Sequence, residues 1–323
     1  MEVEISGSEL FRHTHARKSL LVPRKIVACL LANAFFGTLS PQHPNSNRTL
    51  NFATFLKSDQ HAFGLSCIIN YFICVYSYPN LLEGHITIQL NVLEENSTQF
   101  WSTSTTLIRP LLGCDSDKIE HTPPHLAAIV NFANPYPGGL LLSGAGLLQE
   151  EILYLIRPEL LVTIFFCDKM RDNEAIIVNG TRLFSLHEGY RWDTQFLGKP
   201  QDLLTQSSSQ VISIDAAGMR AEGLKFYLRD LNKAYCGFSG ALDENNAPLG
   251  ISTGNWGCGA FGMNKEIKAI QQMLASSQAG RSLYYHTFGD EKLAEHLQQI
   301  NNSFVDKKMT VSQVYLQQIE GLK

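Results

Sequence analysis

Residues 127–156 read "AAIVNFANPYPGGLLLSGAGLLQEEILYLI", and the order of events in this stretch decides the class of fold. The first seven residues are small, β-branched or aromatic with hardly a polar break, which predicts a strand buried on both faces. The strand gives way to a loop carrying Asn134, Gly138 and Gly139. A helix is then predicted to open at Gln149 and run through "QEEILYLIRPE". Working outward, the same alternation recurs. Strands are predicted at "LLVTIFF" (160–166), "EAIIVNG" (174–180), "QVISIDA" (210–216), "LGISTG" (249–254) and "LYYHTFG" (283–289). Helices are predicted at "LKFYLRDLNKAYCGF", "KEIKAIQQMLASSQA" and "EKLAEHLQQINNSF". Alternation of this kind calls for an α/β three-layer fold, with helices on both faces of a mixed central sheet.

The first 110 residues have another texture. "KIVACLLANAFF" and "HAFGLSCIINYFICVY" are apolar blocks longer than ordinary strands, separated by the polar loop "SPQHPNSNRT". They predict a mainly helical accessory region over 1–110, ahead of the α/β domain over 111–323. No internal repeat or low-complexity tract interrupts either part.

Bulk properties narrow the chemistry. The chain has 323 residues, 44% apolar and 17% charged, enough for a real core. Its net charge of −4 offers no cationic surplus for nucleic-acid binding by counterion release. Seven scattered cysteines show no metal-ligand spacing, so free thiols in a reducing compartment are expected, with no metal and no cofactor. His13 and His15 in "HTHARK" read as part of a solvated arm, and the basic stretch "RHTHARKSLLVPRK" also fits a nuclear-import signal. The N-terminal apolar run is too short to span a bilayer, so a soluble intracellular protein is expected. The acceptor triplets at Asn47 and Asn179 carry no weight without secretion.

Two glycine-rich loops and one acidic helix start carry the candidate chemistry. Asn131, Asn134, Gly138 and Gly139 lie at the end of the 127–133 strand, where ligands of α/β sheets gather. A glycine pair alone is most often a plain turn. Glu150 and Glu151 in a first helical turn are favoured by the helix dipole, worth about 0.3–1 kcal/mol, without any catalysis. Adjacent helical residues point about 100° apart, so the two carboxylates are not placed to flank one bond as paired glycosidase carboxylates do. The second loop, "GISTGNWGCGAFG", has Gly254, Gly257, Gly259 and Gly262 just after a strand. It reads as a nest of backbone N–H groups for phosphate, and fits neither the Walker pattern nor GxGxxG. Trp256 and Phe261 are placed to clamp a ribose or to pack the loop. The constellation suits a nucleotide diphosphate bearing a sugar.

At these residues the chain resembles the poly(ADP-ribose) glycohydrolases, whose signature is three glycines, a spacer and QEE. The stretches that carry the resemblance are "LLANAFFGTL", "NFAN", "GLLQEEILYLIRPEL", "LNKAYCGF", "TGNWGCGAFG" and "YYHTFGD". The resemblance implies a macrodomain preceded by a helical region, acting on ADP-ribose polymer. It implies that Glu151 protonates the leaving ribose oxygen and that Glu150, with Gln149, Asn131 and Asn134, positions that ribose. The loop carrying Asn255, Gly257, Cys258, Gly259, Ala260 and Phe261 would hold the diphosphate and fix Phe261 against the ribose, and Gly138 and Gly139 would approach the ligand. Tyr190 in "HEGYRW" would line the cleft, Phe288 would stack on adenine, and Ile119 with Glu120 would read the adenine edge. Partners are then poly(ADP-ribose) and ADP-ribosylated proteins, with no direct nucleic-acid or membrane binding and a monomeric state. Localisation would be nuclear or cytoplasmic, and the role one in the DNA damage response.

Three departures from the pattern bear on activity. Leu140 stands where the third glycine belongs, Asn131 where the animal enzymes carry aspartate, and Met263-Asn264 where they carry glycine and aspartate. Three readings therefore stay open: an active glycohydrolase, a reader that binds ADP-ribose ends without cleaving, and a hydrolase of single ADP-ribosyl units.

Overall fold

The computed structural model describes residues 18–39, 50–52, 55, 62–94, 98–141, 147–219, 223–240 and 250–321. His13, His15, the triplet at Asn47, the loop "SPQHPNSNRT" and most of the basic N-terminal stretch lie outside them. In chain order the elements are β1 (Lys18–Pro23), α1 (Arg24–Phe36), α2 (Ala62–Ser77), β2 (His85–Val92), α3 (Thr98–Ser102), β3 (Gly113–Asp115) and β4 (Ala127–Ala133). There follow α4 (Gln149–Ile156), α5 (Thr163–Phe166), β5 (Glu174–Thr181), β6 (Leu186–Glu188), β7 (Gln195–Gly198), β8 (Ser209–Asp215) and α6 (Leu224–Ser239). The chain closes with β9 (Gly250–Gly254), α7 (Lys265–Gln278), β10 (Leu283–His286), α8 (Glu291–Asp306) and α9 (Val311–Glu320).

Eight strands form one sheet in the order β1-β2-β5-β8-β4-β9-β10-β3, and β6 and β7 form a separate antiparallel pair. This is the α/β architecture the alternation predicts. β4 pairs with β9, and β10 with both β9 and β3, all in parallel; Ala127 faces Gly250, and His286 lies opposite Gly254. The carboxyl ends of β4, β9 and β10 consequently point the same way in the sheet. All seven residues of β8 are buried, and six of seven in β4, as expected of central strands covered on both faces.

The chain divides into two compact units and passes between them several times: one holds 1–89, 133–169 and 178–209, the other 90–132, 170–177 and 210–323. In the first unit the buried Arg24 at the start of α1 pairs with Glu159, whose second oxygen accepts the Arg182 N–H at 2.9 Å. In the second, a continuous core runs through Val130, Ile177, Ile212, Ile214, Leu231, Phe238, Met273 and Tyr285. Helix α6 lies flush on it, because a β-carbon at Gly237 would stand 2.7 Å from Ile212 and 2.9 Å from Ile214.

One expectation needs correction and another an addition. "LLVTIFF" is no strand: it is the end of a 3-10 helix, Pro158–Val162, followed by α5. Residues 158–163 are all buried, and a helical segment buried on every side loses the periodicity that distinguishes it from a strand. The N-terminal region does carry the predicted α1 and α2, but β1 and β2 lie in it too. β2 buries Ile86, Ile88 and Leu90 at every second position, a strand signal inside a region read as helical.

Gly237→Ala is expected to destabilise the fold by about 1–3 kcal/mol through overpacking. Urea unfolding checks this, and an unchanged midpoint would show that α6 has slack above β8.

Candidate active site

The glycine turn and the start of α4 belong to the first unit and are built around two buried carboxylates. Glu150 is 4% exposed and Glu151 5%. Glu150 accepts the Asn134 N–H through Oε2 at 2.8 Å and the Gly138 N–H through Oε1 at 3.1 Å. Glu151 accepts the Leu140 N–H through Oε1 and the Leu148 N–H through Oε2, both at 3.0 Å. Four backbone donors thus hold four carboxylate oxygens. The Glu151–Leu148 bond is half of a capping box; leucine at the N-cap has no side-chain acceptor to supply the other half.

The turn tolerates this only because two β-carbons are missing. Gly138 and Gly139 have φ of 81° and 52°. A β-carbon on Gly139 would fall on Glu150 Oε2 and within 2.6 Å of Glu151 Oε1, and one on Gly138 would lie 2.8 Å from Ile164. Leu140 is different. It is absent from the positive-φ residues, its amide makes the bond to Glu151, and its side chain is 52% exposed. Neither backbone conformation nor the clamp on Glu151 calls for glycine there.

Other residues of this unit frame the pair. Asn134 closes a local turn, its Oδ1 accepting the Tyr136 N–H at 3.0 Å. Gln149 is half-buried at the first turn of α4. Tyr190 packs edge-on against His187 at 6.0 Å, and the next residue, Arg191, donates its N–H to the Leu147 carbonyl at 2.8 Å. The "HEGYRW" segment is thereby tied to the chain just before α4. Residues 142–146, most of the spacer, lie outside the described residues.

The remaining predicted residues belong to the second unit. Asn131 is fully buried, its Nδ2 donating to Ser213 Oγ at 3.0 Å, a bond an ionised aspartate could not donate. The turn at Ile119 and Glu120 is held by Ser252, whose Oγ donates to the Ile119 carbonyl at 3.1 Å. A chain of close polar contacts continues from Ser252 to Thr122, on to His286 Nε2 at 2.8 Å, and from His286 Nδ1 to Asp115 at 2.7 Å.

Phe288 follows directly. It is 54% exposed and has φ of 55°, a left-handed conformation that is a true outlier for an aromatic residue. Flanking bonds hold it there: Thr287 N–H to the Asp115 carbonyl and Gly289 N–H to the Ser116 carbonyl, each 2.8 Å. Backbone outliers of this kind cluster at active sites, ligand clamps and switch regions.

In the 254–263 loop, Asn255 donates to the Thr287 carbonyl at 2.9 Å, and the buried Trp256 donates its ring N–H to the Ile214 carbonyl at 3.0 Å. Cys258 N–H closes on the Asn255 carbonyl and Met263 N–H on the Gly257 carbonyl. Between these closures, the amides of Gly259, Ala260, Phe261 and Gly262 donate to no acceptor among the described residues. Gly259 and Ala260 are exposed, so these amides are open to solvent, the disposition an anion-binding nest requires. Asn264 caps α7 by accepting the Ile267 N–H at 3.0 Å, a task aspartate and asparagine perform about equally.

Sequence reasoning missed the amide donors at Leu140 and Leu148 and the buried ion network of Asp215, Arg229, Asp230, Lys233 and Lys268. Charged residues inside otherwise apolar stripes of α6 and α7 are the signal that would have found the network. Among the described residues no group of three or more His, Cys, Asp or Glu is placed to hold a metal, and no helix is long and apolar enough to cross a membrane.

Comparison with known proteins follows the same segments. A family model described as poly (ADP-ribose) glycohydrolase (PARG), Macro domain fold, matches residues 98–295, and its helical-domain companion matches 8–100. The chain is 29% identical to the probable poly(ADP-ribose) glycohydrolase 2 of Arabidopsis thaliana, over 93% of this chain and 69% of the relative. Poly(ADP-ribose) glycohydrolase 1 of the same plant is 28% identical over the same shares. Poly(ADP-ribose) glycohydrolase 1 of Caenorhabditis elegans is 28% identical over 97% of this chain and 41% of the relative.

Two outcomes are expected. Gly139→Ala should destabilise the protein by about 1–3 kcal/mol, combining a strained φ with displaced carboxylates, whereas Leu140→Gly should shift stability by less than about 1 kcal/mol. Paired urea titrations check both, and equal losses would contradict the assignment of the clamp. Burial pushes the Cys258 thiol up to about 11, so alkylation at pH 8 should label the exposed Cys29 well before Cys258. Peptide mass mapping over time reads the order.

Proposed function

The chain belongs to the poly(ADP-ribose) glycohydrolase family, and on that footing we propose that it hydrolyses the ribose–ribose bonds of ADP-ribose polymer, releasing ADP-ribose. Glu151 is the general acid: it hands a proton to the leaving ribose oxygen as the glycosidic bond breaks. The sugar left behind develops oxocarbenium character, and the Glu151 carboxylate then takes a proton from the water that attacks C1. Glu150 holds the ribose hydroxyls. The nest at Gly259–Gly262 is assigned the diphosphate, Phe288 the adenine face, and Ile119 with Glu120 the adenine edge.

The observation that carries this reading is the clamp itself. Two neighbouring buried carboxylates are fixed by four loop amides, with Gly139 leaving no room for a side chain above them. A helix cap alone does not call for both side chains to be buried. Fixed acceptors of this kind lose little freedom on meeting a substrate, which is the source of rate in a preorganised site.

Incubation with a poly(ADP-ribosyl)ated acceptor should release ADP-ribose, and Glu151→Gln should lower the rate by about a hundredfold or more. Undiminished release by the variant would remove Glu151 from the acid role.

A second reading draws support from Leu140, whose side chain is exposed next to the amide that holds Glu151. If that side chain blocks the ribose, the protein binds ADP-ribose ends without cleaving. In that case the wild type shows binding without turnover, and Leu140→Gly switches hydrolysis on.

A further inference from the structure

Beneath the 254–263 loop lies a buried ionic network in the second unit. Asp230, fully buried at mid-helix in α6, accepts the Ala217 N–H and an Arg229 N–H through Oδ1, both at 2.9 Å. Its Oδ2 accepts from the Lys268 ammonium at 2.6 Å. Arg229 also bonds the Asp215 carboxylate, and Lys233 approaches the other Asp215 oxygen at 2.6 Å. Three cations therefore meet two buried carboxylates; the further partner of Arg229, Asp172, is 82% exposed.

Lys268 stands out within this network. It is 1% exposed on α7, and its ammonium lies 3.7 Å from the centre of the Trp256 ring. That ring is fixed at its edge by the bond to Ile214 and on its face by the ammonium. The Lys268 stem runs under the loop: a β-carbon on Gly257 would be 3.5 Å from its Cε. The open amides of Gly259–Gly262 follow two residues on in the same loop. The loop residues 254–263 include no lysine or arginine, and the nearby Lys265 is engaged with Asp290 at 2.8 Å.

We propose that Lys268 is a positioning residue for diphosphate binding, holding Trp256 and the nest in place and lending the loop a positive charge from below. The proposal rests on the assignment of the nest to the diphosphate of ADP-ribose. A structural ion pair alone would only need to join α6 to α7. Placing the ammonium against the loop's one tryptophan links that pair to the ligand-facing amides. Burial pulls the Lys268 pKa down, and Asp230 opposes the fall, so the network guards the charge it uses.

The test compares ADP-ribose binding by calorimetry with adenosine binding by NMR titration. The proteins are wild type, Lys268→Met and the double variant Lys268→Met/Asp230→Asn. The double variant leaves no newly unpaired buried charge, so it guards against a simple folding failure. ADP-ribose affinity should fall about tenfold or more in both variants, while adenosine, which has no phosphate, keeps its wild-type affinity. Wild-type ADP-ribose affinity in the double variant would overturn this inference and leave the proposed function standing. Equal losses for both ligands would also overturn it, reducing Lys268 to a structural role. Failure of the wild type to bind ADP-ribose would overturn the assignment of the nest and the inference with it.

Discussion

Two carboxylates side by side in a buried helix start are an electrostatic liability unless each oxygen is met by a donor, and that requirement organises the first unit. Removing a carboxylate from water without compensation costs several kcal/mol. The donors are backbone amides, at Asn134, Gly138, Leu140 and Leu148. To aim them inward the chain must fold over the carboxylates so tightly that Gly139 has no space for a methyl group. The glycine turn, the buried helix α4 and the bridge from Arg191 to Leu147 are all consequences of keeping that pair covered yet approachable.

The second unit meets the opposite problem. It keeps four backbone amides in a row with no acceptor among the described residues, at an exposed loop, and one aromatic residue, Phe288, in a strained conformation with its side chain exposed. The left-handed backbone at Phe288 is unfavourable by itself. Both arrangements persist because their surroundings are over-determined: the Asp115 and Ser116 carbonyls pin the chain on either side of Phe288, and the Trp256–Lys268–Asp230 stack underlies the loop. Strain held by redundant bonds at an exposed surface is the expected signature of preorganisation.

Much of this was legible in the sequence. The unbroken apolar run at 127–133 showed a doubly covered strand, and "QEE" marked the helix start, because both are local signals. The 160–166 segment misled because burial on all sides erases periodicity, and β2 was overlooked because its alternation sat among helices. In the site, residue types pointed to Glu150, Glu151 and the glycines. The amide of Leu140 was invisible for a simple reason: a backbone donor has no residue identity. Sequence comparison makes Leu140 look like a defect, whereas the hydrogen bond it makes is one any residue with an N–H and negative φ can make. The buried cations under the loop were likewise hidden, since their partners lie far off in sequence, Lys268 and Asp230 being 38 residues apart.

The central claim is that the clamped glutamates cleave a glycosidic bond. The most direct measurement is mass spectrometry of the products formed from purified, protein-free ADP-ribose polymer. Intact ADP-ribose accumulating as the polymer shortens is the predicted result. Polymer left whole would contradict the account, and so would products cut at the pyrophosphate, which would assign the bond broken to different chemistry.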